Sequence, residues 1–390
     1  MTSVQDAFDK IKANIKRLPS TQIKVEDALG FVTTSDILSP INMPPFNQSA
    51  MDGYAICGNH LNQFKLIGEI QAGDSGEGIE LAEGEAVRIF TGALVPTSAT
   101  AIAKQEIVES DGSIIQLTEG VSNNMNIRFA GEQVQTGAVV LRKDTTINLG
   151  AIGYLYMLGI HEIEVSRKPK AIIIVTGNEL IAPGQELTSG KIYESNSYTL
   201  KAALKSVGVD AEIQSVKDDF ESTKHMISKA LSQCDLVITS GGISVGDYDF
   251  VGKAMHELGV NEVFYKLKQK PGKPLFFGTK DRTSVFALPG NPAAVLSCFY
   301  MYVIPAIRMM QGYSAPQLEQ RSLKITSEYK KGAALTHFLK AYANGNEVRI
   351  LNAQSSAMLS SFSEANCLAK LPEGGTDWSV GDDVEVFMLP

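Results

Sequence analysis

Long uninterrupted apolar runs are few in this sequence. Its longest apolar run, 293–304, is broken only by Ser297 and falls well short of the roughly 20 residues a spanning helix needs. A buried helix is therefore expected there. Positive charge is also scarce, with 35 Lys and Arg against 43 Asp and Glu and a net charge of −8. Polyanion binding needs clustered cations that release counterions, so neither a nucleic acid nor a membrane is expected as a partner. Cysteine is sparse as well. Cys57, Cys234, Cys298 and Cys367 lie far apart without a Cys-x-x-Cys pair, which argues against a zinc site or a disulfide framework and for buried free thiols. The first residues lack the apolar core of a signal peptide. Val4, Phe8, Ile11, Ile15 and Leu18 recur there at helical spacing instead, and a cytoplasmic location is expected.

What remains is the composition of a soluble globular protein, 44% hydrophobic and 20% charged. At about 150 residues per domain, a chain of 390 residues asks for two or three domains. The texture changes three times along it. A segment at 41–137 is rich in Gly, Pro, Asn and Asp between short apolar runs, which reads as strands separated by turns. Leu149 to Leu158 is a dense apolar helix pattern, expected to pack with the first helix as a stem. From Pro169 strand-like runs (171–175, 211–216, 235–239, 284–287) alternate with helical stretches, the pattern of a doubly wound parallel sheet. Ligands of such sheets bind beyond the carboxyl ends of the strands. After Arg321, strands at 322–325, 348–351 and 384–388 with an Asn344-Gly345 hairpin signal form a small β-domain.

Candidate chemistry gathers at the sheet's ligand edge. Ser240-Gly241-Gly242-Ile243-Ser244-Val245-Gly246-Asp247 follows a strand, and small residues there let backbone N–H groups approach a phosphate. Carboxylates follow each of three strands: Glu179, then Asp218, then Asp247 and Asp249. Such a set suits a hard cation such as Mg²⁺. The opposite charge comes from Lys266, Lys268, Lys270 and Lys273, in a run stiffened by Pro271, Gly272 and Pro274, as a preorganised anion site requires. Asp52-Gly53, after Pro44-Pro45, and Thr91-Gly92 read locally as turns.

Taken in order, Ser49-Ala50-Met51-Asp52-Gly53-Tyr54-Ala55, Arg88-Ile89-Phe90-Thr91-Gly92-Ala93, Thr176-Gly177-Asn178-Glu179-Leu180, Glu194-Ser195-Asn196, the segment 240–249, Lys270-Pro271-Gly272-Lys273-Pro274 and Leu288-Pro289-Gly290-Asn291-Pro292 resemble the molybdopterin molybdenumtransferase family (MoeA and the E domain of gephyrin). The resemblance implies a multidomain α/β plus β fold. Its parts would be a discontinuous stem (1–40 and 138–166), a β-rich second domain (41–137), a doubly wound molybdopterin-binding domain (167–312) and a C-terminal barrel-like domain (313–390). It further implies a homodimer whose site is completed across the interface by Asp52 and Thr91. The implied reaction inserts molybdenum from molybdate into adenylylated molybdopterin, with Mg²⁺-dependent release of AMP. Glu179, Asp218 and Asp249 would hold the metal, and Lys266 and Lys270 would meet the oxyanion. Thr176, Gly177, Ser195, Asn196, Ser240, Gly241, Gly242, Ser244, Gly246, Asp247, Lys273, Pro289, Gly290, Asn291, Pro292, Lys340 and Ser356 would bind the pterin substrate. The adenylyltransferase of the same pathway is an expected partner.

The chain departs from the family pattern at Gln133, where a carboxylate is usual, at Ala293-Ala294 for Val-Ser, at Lys340 for Arg, and at Ser355 for Gly. A non-catalytic scaffold homologue, a tungstate-preferring paralogue and an adenylyltransferase acting one step earlier are the alternatives.

Overall fold

The computed structural model describes residues 1–76, 78–217, 219–243 and 250–390. The chain forms two compact units, Gln22–Glu164 and Met1–Thr21 joined with Val165–Pro390.

In the unit Gln22–Glu164 the turn-rich segment forms a six-stranded mixed sheet. Its order runs Ala101–Lys104, Gly53–Ile56, Glu85–Ile89, Gln63–Ile70, Ile114–Leu117, Val108–Ser110. Alternating side chains feed two apolar clusters, Ile56, Ala86 and Ala101 in one and Ala55, Val87 and Ile102 in the other, as the period of two in a strand requires. A helix at Leu149–Met157 follows, capped by the Asn148 side chain at Ala151 N.

The second unit is built on a sheet ordered Ala211–Val216, Ala171–Thr176, Leu236–Ser240, Thr283–Leu288, Phe276–Lys280, Asn261–Tyr265. The first four strands are parallel and are the four read from the sequence. The last two are an antiparallel edge. Ile173, Val175, Ile238 and Phe286 enter one core cluster while Ile172, Ile174, Val237 and Val285 enter another, so both faces are covered, as a parallel sheet requires. The chain leaves Ala171–Thr176 for one side and returns to the other, which puts a topological switch point between that strand and Leu236–Ser240.

The helix Pro292–Met310 runs 19 residues, longer than the apolar run in the sequence, and is by length and composition apolar enough to cross a membrane, but 83% of it is buried, in keeping with the expected core helix. The expected stem pairing of the first helix is corrected. Ala7 and Ile11 of Val4–Asn14 are fully buried in the core that holds Leu267, Phe277 and Ile304, because the apolar stripe of this helix fits the α/β layer. Three of the four cysteines are buried free thiols, and Cys57 is only half-buried.

The C-terminal strands close into a five-stranded barrel. Thr336–Asn344 pairs with Glu347–Ile350 and with Cys367–Leu371, and the ring is completed through Gln320–Ile325 and Asp383–Met388. The hairpin falls where expected, with Asn344 paired to Glu347 and Gly345 in the left-handed region (φ 57°). A short strand, Gln269–Lys270, adds in parallel to Thr336–His337 and ties the lysine run to the barrel.

Candidate functional site

Three loops leave the carboxyl ends of the parallel strands on either side of the switch point, and a cleft of ≈ 700 Å³ lies among them. Glu179, Gly241, Gly242, Lys270, Lys273, Pro289, Gly290, Asn291 and Ser356 all line it. These are nine of the residues selected from the sequence. Both lysines are exposed, so among the described residues the wall offers two ammonium groups against the Glu179 carboxylate.

The glycines are there for space. A Cβ on Gly241 (φ 87°) would lie 2.7 Å from Thr176 O, and one on Gly242 (φ 65°) would lie 2.7 Å from both Thr176 Oγ1 and Val251 Cγ2. Only glycine tolerates both the conformation and the approach. Thr176 is consequently buried beneath this loop, and its hydroxyl has no hydrogen-bond partner among the described residues.

Several of the expected ligand-binding residues form the layer under the cleft. Asn196 opens the helix Asn196–Ser206, and its side-chain nitrogen donates to Ser240 Oγ (2.9 Å) and to Gly290 O (2.8 Å). Both amide hydrogens are thereby used to brace two cleft loops against each other. Ser240 is buried, Ser195 sits at the N-cap without a side-chain capping bond, and Pro292 occupies the first turn of the helix Pro292–Cys298. A Cβ at Gly177 would crowd Leu180 and Glu179, so this glycine lets the Glu179 loop fold back.

Two expectations are corrected. Lys340 is 2% exposed, and its ammonium donates to Ala353 O (2.6 Å), Met358 O (2.8 Å) and Ser355 O (3.3 Å). An ammonium has three donors and all are consumed, so Lys340 staples the loop 353–358 instead of meeting a ligand. Burial lowers its pKa. Lys266 does not line the cleft, and its ammonium lies 4.9 Å from the centre of the Tyr265 ring. Asp218, Ser244, Gly246, Asp247 and Asp249 lie outside the described residues.

The structure adds cleft residues that the sequence did not single out. Ile192, Gln269, Leu335 and Gln354 complete the wall. Gln269 was legible in principle, because Lys266-Leu267-Lys268-Gln269-Lys270 alternates and Leu267 marks the inward face. Ala294, the departure from a serine, also lines the cleft.

In the unit Gln22–Glu164, Asp52 and Thr91 are brought together across 39 residues. Asp52 Oδ1 accepts from Thr91 N and Thr91 Oγ1, both at 2.8 Å. These two bonds hold the exposed carboxylate below its ordinary pKa. Arg88 stands over the rings of Tyr54 (4.8 Å) and Phe90 (5.2 Å) and donates to Gly53 O, which braces the two strands beside the pair.

Comparison with known proteins agrees with this architecture. Residues 2–159 match the MoeA N-terminal region (domain I and II), 172–309 a probable molybdopterin binding domain, and 322–389 the MoeA C-terminal region (domain IV). The molybdopterin molybdenumtransferase of Staphylococcus epidermidis is 31% identical over 99% of this chain and 95% of its own. That of Staphylococcus aureus is 30% identical with the same coverage. The crystal structure of the molybdopterin biosynthesis MoeA protein from Pyrococcus horikosii superimposes with a TM-score of 0.86 at 28% identity, covering 100% of this chain and 99% of that one. With all three regions matched in order over the whole length, the chain belongs to the molybdopterin molybdenumtransferase (MoeA) family.

Proposed function

We propose that the protein inserts molybdenum from molybdate into the dithiolene of adenylylated molybdopterin, with Mg²⁺-dependent release of AMP. The observation that carries this reading is the cleft at the switch point, where strand-end loops, Lys270, Lys273 and Glu179 converge. Glycines at 241 and 242 leave backbone free to approach a phosphate group. Lys270 and Lys273 would neutralise the oxyanion or the pterin phosphate, and Asn291 and Ser356 would bind polar edges of the substrate.

Glu179 on the cleft wall is an oxygen donor of the kind Mg²⁺ takes, and Asp218 and Asp249 would complete its set. A bound cation would supply charge neutralisation at the phosphates. Asp52 and Thr91 are read as a contribution from the second subunit of a homodimer. Their support is the exposed, prearranged carboxylate–hydroxyl pair. A cytoplasmic location and substrate transfer from the pathway's adenylyltransferase belong to the same reading.

The test is AMP release. Purified protein given Mg²⁺, molybdate and adenylylated molybdopterin should form AMP and metallated cofactor, and Glu179→Ala and Asp249→Ala should abolish both products. Retained turnover in both variants would sink the site assignment. Tight substrate binding without AMP release would favour a scaffold. Replacing molybdate by tungstate in the same assay decides the oxyanion.

A further inference from the structure

The lysine loop rests on a buried polar network. Gln269 is 1% exposed, although its neighbours Lys268 and Lys270 reach solvent. Its Nε2 donates to Pro271 O at 3.0 Å and faces Cys298 Sγ at 3.7 Å, while its Oε1 accepts from the hydroxyl of Tyr302. Tyr302 is equally buried, within the π-helical turn Phe299–Val303 that interrupts the core helix. A Cβ on Gly272 (φ 88°) would collide with Cys298 Sγ and would come within 2.8 Å of Gln269 Nε2, so the loop lies directly on these side chains.

An apolar residue facing the core would bury at less cost than this amide, which must find partners for an oxygen and two hydrogens. Here each finds one, and one of them is the carbonyl of Pro271, between the two lysines on the cleft wall. The network fixes the peptide that sets where the Lys270 and Lys273 side chains start. Position matters at such a site because a preorganised charge contributes more than one that must be rearranged on binding.

We infer that Gln269 and Tyr302 are positioning residues for the Lys270–Lys273 anion loop, holding it from the core through Pro271 O. This rests on the reading of that loop as the oxyanion contact and deepens it. Tyr302 does not line the cleft, and Gln269, although on its wall, is only 1% exposed, so both act through the loop.

The experiment uses the full chain and molybdate as probe, with affinity measured by calorimetry and KM and kcat by AMP release. Tyr302→Phe keeps the ring and removes only the hydroxyl. Gln269→Leu combined with Tyr302→Phe replaces both members of the Tyr302–Gln269 bond by apolar groups and leaves Pro271 O as the one group that loses its donor. Both variants should raise the molybdate Kd and KM, the double variant about tenfold, with kcat within about twofold. Thermal melting should show a loss in Gln269→Leu alone that the double variant recovers in part, since it removes the orphaned Tyr302 hydroxyl but not the unpaired Pro271 carbonyl. A purely structural pair would follow the melting curve, so wild-type molybdate affinity in the double variant overturns the inference. Lys270→Ala is measured alongside. If it weakens molybdate binding while the double variant does not, positioning alone is refuted. If neither does, the anion-loop reading falls as well.

Discussion

The side-chain amide of Asn291 donates to Ser356 Oγ at 2.9 Å, and the Ala293 N–H donates to Ser356 O at 3.0 Å. These bonds join the loop after the last parallel strand to a loop of the C-terminal barrel. One serine thus ties the α/β layer and the barrel of the same unit into one cleft wall. Ser356→Ala should keep the backbone bond and lose the side-chain bond, worth ~1 kcal/mol. The expected result is a KM for the pterin substrate raised about fivefold with little change in melting temperature. An unchanged KM would show that the wall holds its shape without the clamp.

Lys340 gives a second prediction, because its role reverses the one expected from its position. Lys340→Met leaves the carbonyls of Ala353, Ser355 and Met358 without their donor, and hydrogen bonds to a charged group contribute ~1.5–3 kcal/mol each before compensation by water. A loss of ~2–4 kcal/mol in urea denaturation is expected. Lys340→Arg should restore it only in part, since its donors lie in one plane and its larger head must fit a site where Lys340 is 2% exposed. Full stability in Lys340→Arg would contradict this account.

The two lysine assignments that changed show what the sequence could and could not carry. The parallel strands were legible because Ala171–Thr176 and Leu236–Ser240 open on apolar runs, 171–175 and 236–238, and lead into loops that begin with glycine. That ordering also placed Glu179, Gly241, Gly290 and Lys270 at one edge. Lys340 and Lys266 were misassigned because charge in a sequence does not reveal which acceptors surround it after folding. Lys340 meets carbonyls 13 to 18 residues away, a proximity created only by closure of the barrel. The final antiparallel strands escaped notice because Asn261–Tyr265 and Phe276–Lys280 flank the lysine run, whose polarity masks them. Asp52 and Thr91 looked like turns, and only the pairing of the strands beside them creates the hydrogen-bonded couple.

Gly242 offers a test of close packing at the switch point. Gly242→Ala combines a left-handed backbone with a Cβ 2.7 Å from Thr176 Oγ1 and Val251 Cγ2. Neither neighbour is the free end of a long side chain, so the loop must move. A stability loss of ~1–3 kcal/mol and at least about a tenfold loss of AMP release are expected. A companion Thr176→Ser variant keeps the hydroxyl and its crowding but removes the methyl, and should leave Gly242→Ala as impaired as before. Wild-type kinetics in Gly242→Ala would mean that the loop is not held by this contact.

The seam between the lysine run and the barrel also responds to pH. His337 is half-buried on the barrel strand that pairs with Gln269–Lys270, and burial, reinforced by the charges of Lys331 and Lys270, lowers its pKa to about 4. The Lys331 ammonium is fixed nearby through Leu335 O and Gly375 O, so the repulsion cannot relax by simple side-chain rotation. In the unfolded chain the same histidine titrates near ~6.5. Between those values the unfolded state holds the proton and the folded state does not, so stability rises with pH across that interval. The neutral imidazole therefore costs nothing above pH ~6.5, and stability falls progressively as the pH drops towards 4. Below that pH this residue adds no further loss. His337→Gln, which cannot titrate, should flatten the fall in urea midpoint between pH 6.5 and 5, a window above most carboxylate titration. Parallel pH profiles for the two proteins would show that His337 is not the group whose protonation loosens the seam between the lysine run and the barrel.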